Sequence, residues 1–206
     1  IAAPKQSALE GLTLDAGLFS GNGIRQDDNS KLDFIGHLKY NRATSNVEWG
    51  LGTSLYYGSV NNADTLLFEV KDNQWVSSTV EANSTNARLY YGIDAQVSIS
   101  TSWGLSNIRA EYLMGQQPST KSSFTSTKAN SYDASAAFSY MRNFMGWHVY
   151  FVQDIYRLPM SVVVKYSWAD ANTDLAGDEI TNKTDLAQSS LGLGLSALNA
   201  AVERAI

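Results

Sequence analysis

The chain has 206 residues, no cysteine, 15 glycines, 3 prolines and a formal net charge of −5. Without cysteine there is no disulfide framework and no thiolate zinc site, and without a basic surplus the chain is a poor ligand for phosphate backbones. No run of about 18 apolar residues occurs, so the sequence offers no membrane-spanning helix.

Charged residues make up 17%, below the roughly 25% of ordinary soluble domains, while 11 residues are tyrosine. The mean hydropathy of −0.22 is mildly hydrophilic. A transmembrane barrel has this profile, because half of its strand residues face water.

Ile1 to Leu9 is irregular, with Pro4 as a breaker. Gly11 to Phe19 alternates with a period of two, placing Leu12, Leu14, Ala16 and Leu18 on one face, which predicts a strand. A polar loop follows at Ser20 to Lys31. Leu32 to Asn41 is the second strand, with Phe34, Leu38 and Tyr40 opposite Asp33, His37 and Lys39. After a turn at Arg42 to Asn46, Val47 to Gly58 is the third. Its apolar face holds Trp49, Leu51, Leu55 and Tyr57, and its other face Glu48, Ser54 and Tyr56.

Ser59 to Asn86 is a long polar excursion with room for one short strand at Leu66 to Val70. Ala87 to Ile99 resumes the alternation, setting Leu89, Tyr91, Ile93 and Val97 against Arg88, Asp94 and Gln96. Leu105 to Gly115 continues it, with Ile108, Ala110, Tyr112 and Met114 against Arg109 and Glu111. Gln116 to Arg142 is long and polar at first, and its Tyr132 to Tyr140 part alternates again. Asn143 to Trp168 forms a hairpin about Tyr156 to Pro159. Trp147, Val149, Phe151 and Ile155 oppose His148, Tyr150, Val152 and Asp154, with Gln153 interrupting the apolar face. Ala169 to Asp185 is a fourth long loop, and Leu186 to Leu195 a last strand. Ser196 to Ile206 is alanine-rich and breaks the pattern.

The connections sort by length. Long ones leave at Ser20, Ser59, Gln116 and Ala169, and short ones sit at Arg42, Ser100 and Tyr156. Aromatic residues sort with them into two belts, as interfacial anchoring requires. A soluble sandwich would also alternate but has no reason to sort its loops. The expectation is therefore an all-β, antiparallel transmembrane barrel in the bacterial outer membrane, with about eight strands visible.

Several segments resemble the phosphate-selective porin O/P-like family of outer-membrane channels, in the branch found in Bacteroidetes. They are PKQSALEGLTLDAGLFSGNGI at Pro4 to Ile24, DDNSKLDFIGHLKY at Asp27 to Tyr40, and GLSNIRAEYLMGQQPST at Gly104 to Thr120. RNFMGWHVYFVQDI at Arg142 to Ile155, KYSWADANTDLAGDEI at Lys165 to Ile180 and TDLAQSSLGLGL at Thr184 to Leu195 complete the set. The resemblance implies a sixteen-stranded, usually trimeric barrel that passes small solutes passively. By that comparison residues 1–206 form one barrel domain that is the C-terminal half or so of a longer chain, and Ser196 to Ile206 departs from the family pattern. Starting at Ile1, with neither Met nor a signal peptide, the chain reads as processed or partial.

The candidate pore-lining residues are Lys39, Glu48, Arg88, Asp94, Arg109, Glu111, His148 and Lys165, with Asp33, His37 and Asp154 on the same faces. They can filter solutes by a transverse field, or simply pair across strands on a wet wall. Arg88, Arg109 and Lys165 are the candidates for an anion track. Asp170, Asn172 and Asp174 form D-x-N-x-D, whose alternate oxygens can converge on calcium. Leu175 stands where an EF-hand needs glycine, so an acidic solvated loop is the competing reading. An enzyme is disfavoured, since only His37 and His148 are available as bases and no G-x-S-x-G occurs. The expected partners are outer-membrane lipid and small hydrophilic solutes, with phosphate-like anions as one class of them, and no nucleic acid. The expected function is passive diffusion through a charged lumen; the alternative is a scaffold barrel with a plugged lumen.

Overall fold

A computed structural model describes residues 1–20, 31–62, 65–71, 74–81, 84–120, 139–156, 158–170, 173–174 and 187–197. Those residues contain no helix and ten strands. They are β1 (Leu12–Ser20), β2 (Leu32–Ala43), β3 (Val47–Asn61), β4 (Leu66–Lys71), β5 (Gln74–Thr79), β6 (Thr85–Thr101), β7 (Gly104–Thr120), β8 (Ser139–Ile155), β9 (Met160–Asp170) and β10 (Ala187–Ala197).

All ten join one sheet. Eight form an antiparallel meander in the order β1-β2-β3-β6-β7-β8-β9-β10, each paired with its neighbour in sequence once the β4–β5 hairpin is set aside. The sheet is not closed by pairing between β1 and β10. Every strand read from the alternation is present. Several extend further than their expected bounds: β3 reaches Asn61, β6 begins at Thr85 and β7 runs on to Thr120. β8 begins at Ser139, within the Tyr132 to Tyr140 alternation that could extend it, and residues 132–138 of that stretch lie outside the described residues. The expected short strand at Leu66 is β4. Its partner β5 was not anticipated, because Gln74 to Thr79 carries little apolar alternation.

The meander places the short turns side by side. The backbone N–H of Ser100 donates to the Asn46 carbonyl (2.8 Å), and that of Tyr156 to the Trp103 carbonyl (2.7 Å). The connections 21–31, 62–84, 121–138 and 171–186 all leave from the opposite end.

Register makes the two faces continuous, because directly paired residues in an antiparallel sheet point the same way. One row runs Thr53, Ile93, Tyr112, Trp147, Trp168, and the next runs Leu51, Ala95, Ala110, Val149, Tyr166. Between the aromatic levels this face carries no charged side chain. Gln153, the interruption in β8, accepts from Ser106 Oγ at 2.5 Å and donates to the Asp154 carbonyl at 2.8 Å, so its polar groups are partnered.

No second layer packs on the apolar face among the described residues. Among the described residues only Val60, Leu67 and Met141 are buried hydrophobics, whereas Leu51 is 55% exposed and Ile93 60% exposed. A soluble sheet of this size would cover such a face with a second layer.

Candidate functional site

The opposite face gathers the charges. Paired register places Asp15, Asp33, Glu48, Asp94, Glu111 and Asp154 on it. Lys39, Arg88, Arg109, Arg142 and Lys165 share it, as do His37 and His148. All eight predicted pore-lining residues therefore lie on one surface. Arg142 was read as loop, and the signal for it was the parity of His148 carried back along β8.

The middle of this face is a hollow of about 780 Å³, lined among others by His37, Asp94, Arg109, Glu111, His148 and Tyr150. One register row crosses it as Lys39, Gly52, Asp94, Glu111, His148, Ser167. Asp94 and Glu111 are direct cross-strand neighbours, an unfavourable pairing of like charges. Each has an imidazole on its other side. His37 Nε2 meets Asp94 Oδ2 at 2.9 Å, and His148 Nε2 lies 3.9 Å from Glu111 Oε2. The first pair bridges across β3 only because residue 52 is glycine: a Cβ there would fall on the Asp94 carboxylate.

The row nearer the short turns is cationic and aromatic: Gln96, Arg109, Tyr150, Lys165. Lys165 Nζ sits 5.0 Å from the Tyr150 ring centroid, and His148 stands edge-on to the same ring at 5.1 Å. Arg109 Nε donates to Asn107 Oδ1 at 3.1 Å. Arg88 does not join Arg109 and Lys165 in one track; it lies nearer the long connections, in a second cluster. Lys39 and Glu48 border a shallower hollow with Arg42 and Gln96.

That second cluster is buried. Tyr56 OH donates to Asp33 Oδ2 and accepts from Arg88 Nη1 (3.0 Å), while the Ser59 N–H donates to Asp33 Oδ1 (3.2 Å). Gly58 makes room for it, since a Cβ there would strike the Asp33 carboxylate. Tyr56 and Tyr90 stack with centroids 4.9 Å apart, Phe144 packs edge-on to Tyr90 at 5.2 Å, and Tyr90 OH donates to Gln117 Oε1 at 2.9 Å. Arg142, paired with Gln117 in register and beyond the Trp147 level, is 1% exposed. Burial pulls its guanidinium down to about 10, which leaves it charged at neutral pH.

The β4–β5 hairpin lies at this end of the sheet. β9 stops pairing with β8 at Met145, and β4 takes the same edge of β8 further out, running parallel at Leu67–Ser139 and Phe68–Tyr140. The rings of Phe68 and Tyr140 stack at 5.2 Å. To reach β8 from β3 the chain must pass the ends of β6 and β7. Burial there is one-sided: Arg88 and Gln117 are covered, while Tyr91 and Met114 on the other face are exposed. The hairpin therefore crosses the polar side. Its stem is held by a clasp in which Asn62 and Asn86 exchange amide hydrogen bonds and Asn62 Nδ2 donates to Ser84 Oγ at 2.9 Å.

Of the calcium candidates, Asn172 lies outside the described residues. Asp174 accepts from the Asn143 side-chain amide (2.9 and 3.1 Å) and from its backbone N–H (3.2 Å), which pins the segment after β9 to β8. Asp170 ends β9, in register with Met145. No group of three metal-ligating side chains gathers among the described residues.

The apolar face carries its own geometry. Tyr57 on β3, Tyr91 on β6, and Tyr112, Trp147 and Trp168 on β7 to β9 mark one aromatic level. Tyr40 and Trp49, in edge contact at 5.7 Å, then Trp103 and Tyr156, mark the other. Neither level follows a register row. The first steps by two rows between Tyr57 and Trp147, and the second slips the same way.

No family model, curated protein or solved structure matches the chain.

Proposed function

We propose that the chain is wall of a transmembrane β-barrel in the bacterial outer membrane, a porin-like channel that passes small hydrophilic solutes without chemistry. The observation that carries this reading is the apolar face: continuous over the meander, uncharged between two aromatic levels, and without a second layer over it among the described residues. Lipid is the solvent that such a face needs.

Two further features support it. The spans Trp49–Tyr57, Tyr91–Ile99 and Trp147–Ile155 are each about nine residues, the length of a tilted strand across the hydrocarbon core. The aromatic levels slant across the register rows, as a flat membrane boundary does when strands tilt by roughly 35–45°. Arg42, at the short-turn end, donates from Nε to Tyr40 OH at 2.5 Å, a polar anchor beside the Tyr40–Trp49 pair.

Membership of the phosphate-selective porin O/P-like family, a larger sixteen-stranded closed barrel and trimeric assembly extend the proposal and rest on the sequence resemblance. So does a preference for phosphate-like solutes. The balance of acids and bases on the polar face gives that preference little support, and Arg109 and Lys165 are the groups that would provide it.

A second reading is favoured by one observation. The β4–β5 hairpin reaches β8 along the polar side, where Arg88 and Gln117 are covered, which suits a scaffold barrel whose lumen is plugged. Single-channel recording of the full-length protein in a planar bilayer separates the two. Stable open steps support the channel; silence from folded, inserted protein overturns it in favour of the scaffold.

A further inference from the structure

We propose that His37 and His148 are a charge-reversing belt that sets the ion preference of the lumen, shifting it toward anions as the pH falls from 8 to 5. This rests on the channel reading. Histidine is the side chain type whose charge changes in that interval, and these are the chain's two histidines. Both face the same hollow, at the level of the acidic pair.

The surroundings of each decide the sign. His37 on β2 faces Asp15 on β1, Ser54 on β3 and Asp94 on β6, with Lys39 two residues along its own strand. His148 on β8 faces Glu111 on β7 and Ser167 on β9, with Arg109 and Lys165 one row away and Tyr150 beside it. Asp94 and Glu111 stand together between the two imidazoles. With neutral histidines this level holds an acidic pair that attracts cations. Two protons on the imidazoles cancel that pair and leave Lys39, Arg109 and Lys165 as the field a solute meets. Over the whole described polar face six acids oppose five bases, so the same two protons change the net sign from one negative to one positive. Charged rings act on permeant ions at this range.

The arrangement also explains the bridge over residue 52. Glycine there lets His37 reach Asp94 past an intervening strand, so imidazole flanks the acidic pair from both sides.

The test is the reversal potential of the full-length protein in planar bilayers under a KCl gradient at pH 8 and pH 5, for wild type and His37→Gln/His148→Gln. At pH 8 the double variant should still give stable open steps, which verifies that it is folded and inserted, and its own pH 8 selectivity is the reference for its response. On moving to pH 5 the wild-type chloride-to-potassium permeability ratio should rise by about twofold or more, as expected for a change in local field, and less than half of that rise should remain in the double variant. Open channels whose pH response is identical in wild type and double variant overturn the belt and leave the pore intact. Absence of channels from folded, inserted wild type overturns both.

Discussion

Ile93 offers a sharp test of what the apolar face meets. It is 60% exposed on β6, two residues inside Tyr91. If that face met water, Ile93→Lys would be a surface substitution, within about 0.5 kcal/mol of neutral. In a bilayer the cost depends on depth. A rise of about 3.3 Å per residue and a tilt of about 40° give about 2.5 Å of depth per residue, so Ile93 lies about 5 Å below the boundary and about 5 Å from the middle of the span. Lysine there should cost roughly 2 kcal/mol, against about 2–4 at the midplane and about 0–1 at the edges. Two kcal/mol is about 30-fold in the folding constant. The assay is reversible denaturant titration of full-length protein in lipid vesicles, with Ile99→Lys as the boundary control. A loss near 2 kcal/mol for Ile93→Lys and under 1 for the control is expected. Equal stability of wild type and Ile93→Lys, with vesicle insertion unchanged, would refute the lipid-facing assignment.

Other perturbations probe the polar side. Replacing Leu66–Thr79 by a short Gly-Ser link should raise single-channel conductance, because the hairpin crosses the lumen side; unchanged conductance would show that it does not narrow the path. Tyr56→Phe strips the donor from buried Asp33 and the acceptor from Arg88, and should cost about 1–3 kcal/mol in the same denaturant titration; a loss under 0.5 would show the cluster to be unimportant. Gly58→Ala should destabilise comparably by forcing a methyl onto the Asp33 carboxylate, and combined with Asp33→Ala it should cost less than the sum of the two. Asp174→Ala removes the clamp on Asn143 and should speed protease nicking after β9, with no change in conductance; unaltered nicking would place the anchor elsewhere.

Alternation is a local property, which is why so much of this protein is legible in its chain. A period of two assigned both faces of the strands it identified, and a one-residue error would have put His37, Asp94 and Glu111 among the leucines. Loop lengths sorted the ends, since an antiparallel meander sends every second connection to the same rim. The eight residues assigned to one surface, from Lys39 on β2 to Lys165 on β9, needed only this parity.

Register and long-range pairing are not local, and the tertiary structure alone supplied them. Which charges become neighbours depends on how strands slide past one another, and nothing in Asp94 or Glu111 taken singly puts them side by side between two histidines. Glycine at 52 and 58 leaves the space into which His37, Asp94 and Asp33 reach, which parity alone does not reveal. The β4–β5 hairpin looked like part of a polar loop because six-residue strands carry little periodic signal. Its attachment to β8 depends on β9 ending at Met145 and vacating the outer edge. The hairpin takes that edge, and Arg142, which parity along β8 placed on the polar face, proves to be covered, which parity could not show.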